Sequence, residues 1–554
     1  MNDRTSRSRQ RLPDLNRLRS SPVLWALLAC LAAAVIGLGG PTWLSSPASS
    51  PKPLDLSAAG PRPPAARVCG NDAILGAGPS SAPRRAVTVP AGDNSGVSWG
   101  QTSTTYWFAP GTHTFGRGQY SQIVPGSGST YIGAPGAVLD GRNTNDTAFG
   151  GDAADVTIEH LTIENFAARG DQGAVNASAA PGWRIEYNTI RDIVPGTAIY
   201  VGAHNVIKFN CLTRNGQSAF GTYTTHRTSS LTNGASDVVV SNNEISYNDT
   251  CNWEALPKFP GPAPPAGCSG AGQYSGCGCS GGGKFWHTDG GEFDDNFVHG
   301  NYGVGVWWDA NNTGFEIEGN YISSNYADGL IYEISYNALI KNNTFVRNGL
   351  VAGPATRGFP TGAIYVSESG SDSRVPGKYG RTFAITRNTF IDNWGGVILW
   401  ENSNRFCDSP ANTSSGDCTL VDPAVATVRS CDASNIAHPP YYSDCRWKTQ
   451  NVLVYRNVFD FNPANIGPAC TPANDCGFQG LFSEYGSYPS WSPYKGTVVE
   501  NHVTFDQNNH FSSNVYNGPW QFMVQGQDNA VNWEIWRGSP YRQDRGSAMT
   551  SAGM

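Results

Sequence analysis

Charge is scarce in this chain. Asp, Glu, Lys and Arg supply 15% of its 554 residues and leave a net charge of −7, with a pI near 5.7. No basic stripe stands out, which argues against a nucleic-acid partner, because such partners are held by clustered Lys and Arg. Long amphipathic helical runs are also missing, so helical repeats are excluded. Extended apolar runs are absent apart from Val23–Leu38. That run falls short of the roughly 20 residues a spanning helix needs. What is abundant instead is glycine (65 residues), visibly frequent Asn and 13 cysteines.

The asparagines are phased. One short phrase returns again and again: apolar residue, two spacers, Asn, one spacer, apolar residue. It reads IEYNTI at Ile185–Ile190, IKFNCL at Ile207–Leu212, VSNNEI at Val240–Ile245, IEGNYI at Ile317–Ile322 and IKNNTF at Ile340–Phe345. It returns as ITRNTF at Ile385–Phe390 and VYRNVF at Val454–Phe459. Asn188 and Asn210 lie 22 apart, Asn296 and Asn320 24 apart, and Asn320 and Asn343 23 apart. A fixed period in the twenties means a solenoid whose repeats bury their apolar faces only by stacking on neighbours. Within each repeat the apolar residues alternate over a few positions and are β-branched or aromatic, with Gly, Asn and Asp between them. Leucine-rich repeats share this period and also use an Asn. They need several Leu per repeat, whereas these coils use Ile, Val, Phe and Tyr. The expectation is an all-β, single-domain right-handed parallel β-helix with loop insertions.

The ends and the cysteines set the compartment. Arg4, Arg7, Arg9, Arg11, Arg17 and Arg19 precede the apolar run, the order of an export signal. Residues 1–45 are read as that signal or as a retained signal anchor, residues 46–85 as a Pro/Ser/Ala-rich linker, and residues 86–547 as the β-helix. The protein is expected to be secreted or extracytoplasmic, to work as a monomer, and to have a membrane partner only through that N-terminal segment. Setting Cys30 aside, an even number of Cys follows the signal, which reads as disulfides in an oxidising compartment. Cys407/Cys418, Cys431/Cys445 and Cys470/Cys476 are close pairs, and Cys251, Cys268, Cys277 and Cys279 crowd one Gly/Pro-rich insertion. Zinc is the rival reading of that foursome; the CGC spacing and exported setting favour disulfides.

The phrase pattern resembles the repeats of pectate-lyase-like and related polysaccharide-active parallel β-helix proteins. YWFAPGTHTF (Tyr106–Phe115) and YIGAPGAVLDG (Tyr131–Gly141) look like the first coils of such helices, and WRGSPYRQDRGS (Trp536–Ser547) like their closing segment. Gly303–Phe345 resembles a block found in bacterial exported β-helix proteins. The resemblance spans roughly residues 86–547 and implies a carbohydrate substrate. It selects no reaction, because such folds host lyases, hydrolases, epimerases and adhesins.

Used as a ruler, the phased Asn exposes a set of acids. Asp309, Glu333 and Glu401 each stand 13 residues after Asn296, Asn320 and Asn388. Glu368 and Glu484 come from the lengthened coils between and after them. Equal phases stack at about 4.8 Å per coil, so the five acids are expected to form one column. Trp308, Tyr332 and Trp400 each precede an acid and are expected to offer ring faces to a sugar, with Glu368 and Glu484 as further substrate contacts. Stacked like charges repel and raise carboxyl pKa values, as a general acid near neutrality requires. The bland alternative is a solvated turn whose acids cap backbone amides.

A second cluster lies in GGGKFWHTDGGEFDDNFVHGN, Gly281–Asn301. His287 could serve as a base and Lys284 could neutralise a uronate. Asp289, Asp294 and Asp295 could ligate Ca²⁺ through hard oxygens. Acids in turns are also ordinary turn formers.

Three functions follow. The leading one is an exported carbohydrate-active enzyme cleaving a polysaccharide in the groove by a carboxylate pair, Asp309 and Glu333, with an acidic groove favouring neutral sugars. The second is a Ca²⁺-assisted lyase or epimerase on an acidic glycan, using Lys284 and His287. The third is a non-catalytic glycan-binding or surface-stalk protein.

Overall fold

The computed structural model describes residues 67–120, 122–222, 235–253, 261–268, 280–356, 359–375, 380–412 and 426–550. The expected export segment lies outside these residues, as do Cys277, Cys279 and Cys418. Among the described residues no helix is long and apolar enough to cross a membrane.

Among the described residues most coils give one short strand to each of three long sheets, here called A (13 strands), B (14) and C (12). One coil runs from Arg184–Glu186 in A, through Thr189–Arg191 in B, to Thr197–Val201 in C. The chain then re-enters A at Val206–Lys208. Neighbouring strands are parallel throughout, save for Ala530–Val531, which closes sheet C antiparallel to Gln521–Gly526. The all-β solenoid read from the repeat is the observed architecture.

The A-to-B corner explains the repeat. Between Glu186 and Thr189 stand only Tyr187, at φ 58°, and Asn188. The same pair, a left-handed residue followed by a buried Asn, turns the corner at Phe209–Asn210, Asn242–Asn243, Asp295–Asn296, Gly319–Asn320 and Asn342–Asn343. A non-glycine residue loses roughly 1–2 kcal/mol there. The Asn amide offsets this, because it accepts and donates at once. The Asn320 N–H and Nδ2 both donate to Asn343 Oδ1 (2.9 Å each), and Nδ2 also reaches Phe293 O (2.6 Å). The chain of such bonds continues from Asn188 to Asn514. Leu or Asp could not do both jobs in a buried site. A second ladder, Asn215–Asn248–Asn301–Asn325–Asn348–Asn393, follows sheet B and was not read from the sequence.

Inward-facing residues stack like the coils. Phe345, Phe390, Phe459 and Tyr516 form one file, with centroids 5.1, 4.5 and 4.9 Å apart. The far end is closed by Asp544, which accepts from Asn514 Nδ2, Tyr516 OH, Trp536 Nε1 and Ser547 Oγ.

One boundary differs from expectation. Residues 67–85, read as the end of a linker, are docked on the solenoid: Val68 is fully buried, and Trp107 Nε1 donates to Pro79 O. The reason is a disulfide, Cys69–Cys211, which spans 142 residues. Cys251–Cys268, Cys431–Cys445 and Cys470–Cys476 also pair, and Cys407 is disulfide-bonded. The first of these takes two of the four clustered thiols away from any zinc reading. Bonds of this kind persist in oxidising compartments, in keeping with an extracytoplasmic protein.

The insertions are not spread evenly. No coil of the phased ladder lengthens its A-to-B corner. The long excursions fall between B and C (347–363, 461–477) or between C and A (403–451, 485–509). Both corners border sheet C, so its outer face is walled on two sides.

Candidate functional site

Strand alternation decides what that face presents. In Gly281–Trp286, Lys284 and Trp286 point out and Phe285 points in; in Val304–Asp309, Trp307 and Asp309 point out and Trp308 points in. The register places Trp286 against Asp309, Asp309 against Glu333, Glu333 against Ser367, Ser367 against Trp400 and Trp400 against Phe482. The outward row therefore reads Trp286, Asp309, Glu333, Ser367, Trp400, Phe482.

Of the five counted acids, Asp309 and Glu333 lie side by side as the ruler requires. The other three leave the row. Glu401 pairs with Ser483, and Glu368, one residue past Ser367, is in the left-handed turn position (φ 45°) also taken by His287, Ala310 and Ile334. The cause is a B-to-C corner one residue shorter: five residues lie between Ile391 and Val397, against six between Ser323 and Leu330. Counting from Asn388 thus overshoots the row by one. Glu484 faces Asn402, two residues beyond Trp400.

Glu401 is a buried structural anion, not a groove carboxylate. It pairs with Arg446 and accepts from Gln507 Nε2 (2.8 Å) and the Thr449 amide (3.2 Å). The shift by one also reverses the aromatics. Trp308 and Tyr332 belong to the interior file that begins at Phe285 (5.1 and 5.9 Å between centroids), so they offer no face to a ligand. Trp400 does lie on the outer side, meeting Phe359 from the 347–363 insertion at 5.1 Å. The other outward tryptophans are Trp286 and Trp307: alternation from Asp309 points to Trp307, and the register of the preceding coil points to Trp286.

Charge in the row is balanced, not bare. Lys284 Nζ stands 2.7 Å from Asp309 Oδ2 and 4.4 Å above the Trp307 ring. Arg405, from the 403–451 insertion, bridges Glu333 Oε1 and Glu368 Oε2, the latter at 3.0 Å. Glu368 also accepts the Asn402 amide at 2.6 Å. Two cations thus answer three acids, which corrects the picture of an acidic column. Burial holds the Glu333 carboxyl above the usual range; Asp309 and Glu368 push the same way and Arg405 opposes them. Tyr365, beside the row, is pushed well above its ordinary value by burial and by the same two glutamates. Burial likewise raises Glu484.

The remaining candidates disperse. His287 occupies the turn, its ring 5.7 Å from that of Trp286. Asp289 begins a sheet A strand and accepts Thr313 Oγ1 (2.8 Å), while Asp294 ends the same strand. Six residues of strand separate their Cα atoms by about 16 Å. Asp295 is the left-handed residue of the Asn296 corner. These three do not converge, and among the described residues no group of three His, Cys, Asp or Glu could hold a metal. The residues do not fit a Ca²⁺ site. Asp294 is instead one of a row of acids on the outer face of sheet A. It is pushed up to about 7 by burial and then by Glu292, Glu316, Asp295 and Glu318.

The model of the right-handed β-helix region matches residues 173–379. The chain is a right-handed parallel β-helix protein. No curated protein matches it. Solved structures similar to this β-helix include the catalytic unit of a thermostable GH87 α-1,3-glucanase from Streptomyces thermodiastaticus. It is 11% identical, with TM-score 0.43, and the match covers 85% of this chain and 70% of that one. The A-module of the Azotobacter vinelandii mannuronan C-5 epimerase AlgE4 is 12% identical, with TM-score 0.34, covering 68% and 87%. The periplasmic alginate epimerase AlgG is 11% identical, with TM-score 0.36, covering 81% and 77%. At these identities the likeness is one of fold.

Proposed function

We propose that this β-helix is an exported carbohydrate-active enzyme that binds a glycan along the outer face of sheet C and cleaves it with a carboxylate pair. The observation that carries the reading is the direct register of Asp309 and Glu333 on the one face flanked by long insertions. Adjacent strands set two such carboxyls about 5 Å apart, the spacing of a retaining glycosidase. Glu333, with its raised pKa, is the proton donor to the leaving oxygen. Asp309 is the nucleophile, steered by Lys284; Arg405 orients Glu333. Trp286 and Trp307 at one end and Trp400 at the other supply ring faces for sugar units.

Lys284 and Arg405 favour one second reading. Two cations in the groove suit the carboxylate of an acidic glycan, and a lyase or epimerase without metal would then use the same face. Incubation with neutral and acidic polysaccharides separates the two. Hydrolysis releases new reducing ends alone, whereas a lyase adds the ultraviolet absorbance of an unsaturated product. If Asp309→Asn and Glu333→Gln both keep full activity on a confirmed substrate, the carboxylate pair is wrong under either reading.

A further inference from the structure

A second polar site lies at the C-to-A corner, outside the sheet C row. There the end of the 403–451 insertion meets the short helical segment Val498–Asp506, leaving a pocket of about 220 Å³ lined by Tyr442, Ser443, Arg446, Lys448, His502 and Asp506, with three amide side chains. This is below the roughly 300–1,000 Å³ of sites for drug-sized ligands, so it suits one small group.

Its charged groups are not all in direct pairs. Arg446 is committed: it pairs with buried Glu401, donates to Gln507 Oε1 (3.1 Å) and lies 5.1 Å from the Tyr494 ring. His502 faces Asp506 at 3.5 Å. The next carboxylates, Asp444 and Asp372, share one cation, Arg374, at 3.1 and 3.2 Å, and act on Lys448 only at longer range. That leaves Lys448. Its backbone is pinned on both sides by the Tyr336 hydroxyl, which donates to Lys448 O (3.3 Å) and accepts from Lys448 N (3.1 Å). Its ammonium makes no hydrogen bond or ion pair among the described residues. Half-buried and without a direct ion pair, this ammonium can take an anion that enters the pocket. Burial and the nearby Arg446 push Lys448 down to about 8, the direction expected of a cation lacking its counter-ion.

We propose that this pocket binds a small oxyanion, a carboxylate or a phosphate, through the Lys448 ammonium, with the Ser443 hydroxyl at its mouth. The proposal is independent of the reaction assigned to the groove. Two sources share this chemistry: the carboxylate of a uronic acid and free inorganic phosphate. The full chain, in chloride buffer, is titrated with sodium glucuronate and separately with sodium phosphate. Calorimetry and thermal midpoint are followed for the natural protein, Lys448→Met and Lys284→Met.

The expected result is saturable binding of at least one probe, with a midpoint that rises with concentration. Lys448→Met weakens it about tenfold or more, a charge-assisted contact being lost, while Lys284→Met leaves it intact. Saturation by glucuronate alone assigns the pocket to a glycan carboxylate; saturation by phosphate alone assigns it to the free ion. Absence of binding by both probes, or equal binding by Lys448→Met, overturns the proposal. The variant supplies a further check without ligand. Removing an unmatched cation leaves the midpoint level with or above that of the natural protein. A lower midpoint would mean that the ammonium already has an internal partner, which also sinks the idea.

Discussion

The A-to-B corner and the outer face of sheet C belong to the same coils and obey opposite rules. At the corner each coil of the ladder repeats two residues, a left-handed one and a buried Asn, without insertion. On sheet C the outward row changes chemistry at nearly every step, from Trp286 to Asp309, Glu333, Ser367 and Trp400. The corner Asn bonds the equivalent Asn of the next coil and nearby backbone carbonyls, so one exchange breaks a chain of bonds. The carboxylates on this face are met by Lys284 from the neighbouring strand, for Asp309, and by Arg405 from an insertion, for Glu333 and Glu368. Repetition supplies stability at the corner, and variation leaves the face free for chemistry.

The contrast can be tested from its strongest point. Glu333→Gln keeps the shape and removes the proton, so activity on a confirmed glycan should fall about 10²–10⁴-fold while the thermal midpoint stays nearly level. Because burial raises the Glu333 pKa and the proton donor must be protonated, natural activity should fall as pH rises through that raised value. A pH–rate profile with no alkaline limb would remove Glu333 from the role.

Glu401→Ala tests the acid that leaves the row. It strands Arg446 without a counter-charge, and the expected loss is about 3–5 kcal/mol in denaturant unfolding. A loss of activity in a protein of unchanged stability would put Glu401 back in the groove. At the corner, Asn320→Ala deletes bonds to Asn343 and Phe293 and leaves buried partners unpaired, for roughly 2–4 kcal/mol with no effect on KM. Trp286→Ala should do the reverse, raising KM about 3–10-fold with little change in stability.

The smallest effect belongs to the sheet A acids. Asp294 has a folded pKa of about 7 against 3.8 when unperturbed, so between those values the folded state binds more protons than the unfolded one. Stability therefore falls as pH rises from about 4 to 7. Asp294→Asn should flatten that slope, raising the midpoint at pH 7.5 and changing nothing below pH 4. An unchanged slope would mean that the carboxyl is solvated.

How much could be read beforehand depended on distance along the chain. Asp309 and Glu333 were legible because both B-to-C corners before them have the same length, so counting from Asn296 and Asn320 stays in register. Glu401 was not, because one residue fewer before Val397 moved Trp400 into the row. The inward turn of Trp308 and Tyr332 followed from alternation, and reading them as groove aromatics set that rule aside at a strand end. Arg405 carries no local signal. It reaches Glu333 across 72 residues, from an insertion whose path no periodicity describes.

What the sequence determined by itself is the solenoid: the phased Asn, the two-residue corner and the alternating apolar strands are local, repeated patterns whose energetics recur in each coil. The tertiary structure alone decided the rest. It drew Lys284 and Arg405 to the carboxylates, tied Cys69 to Cys211, buried Glu401 and left Lys448 unmatched in its pocket. Those outcomes depend on where long insertions dock and on a one-residue change in one corner, and contacts between distant segments leave no period to count.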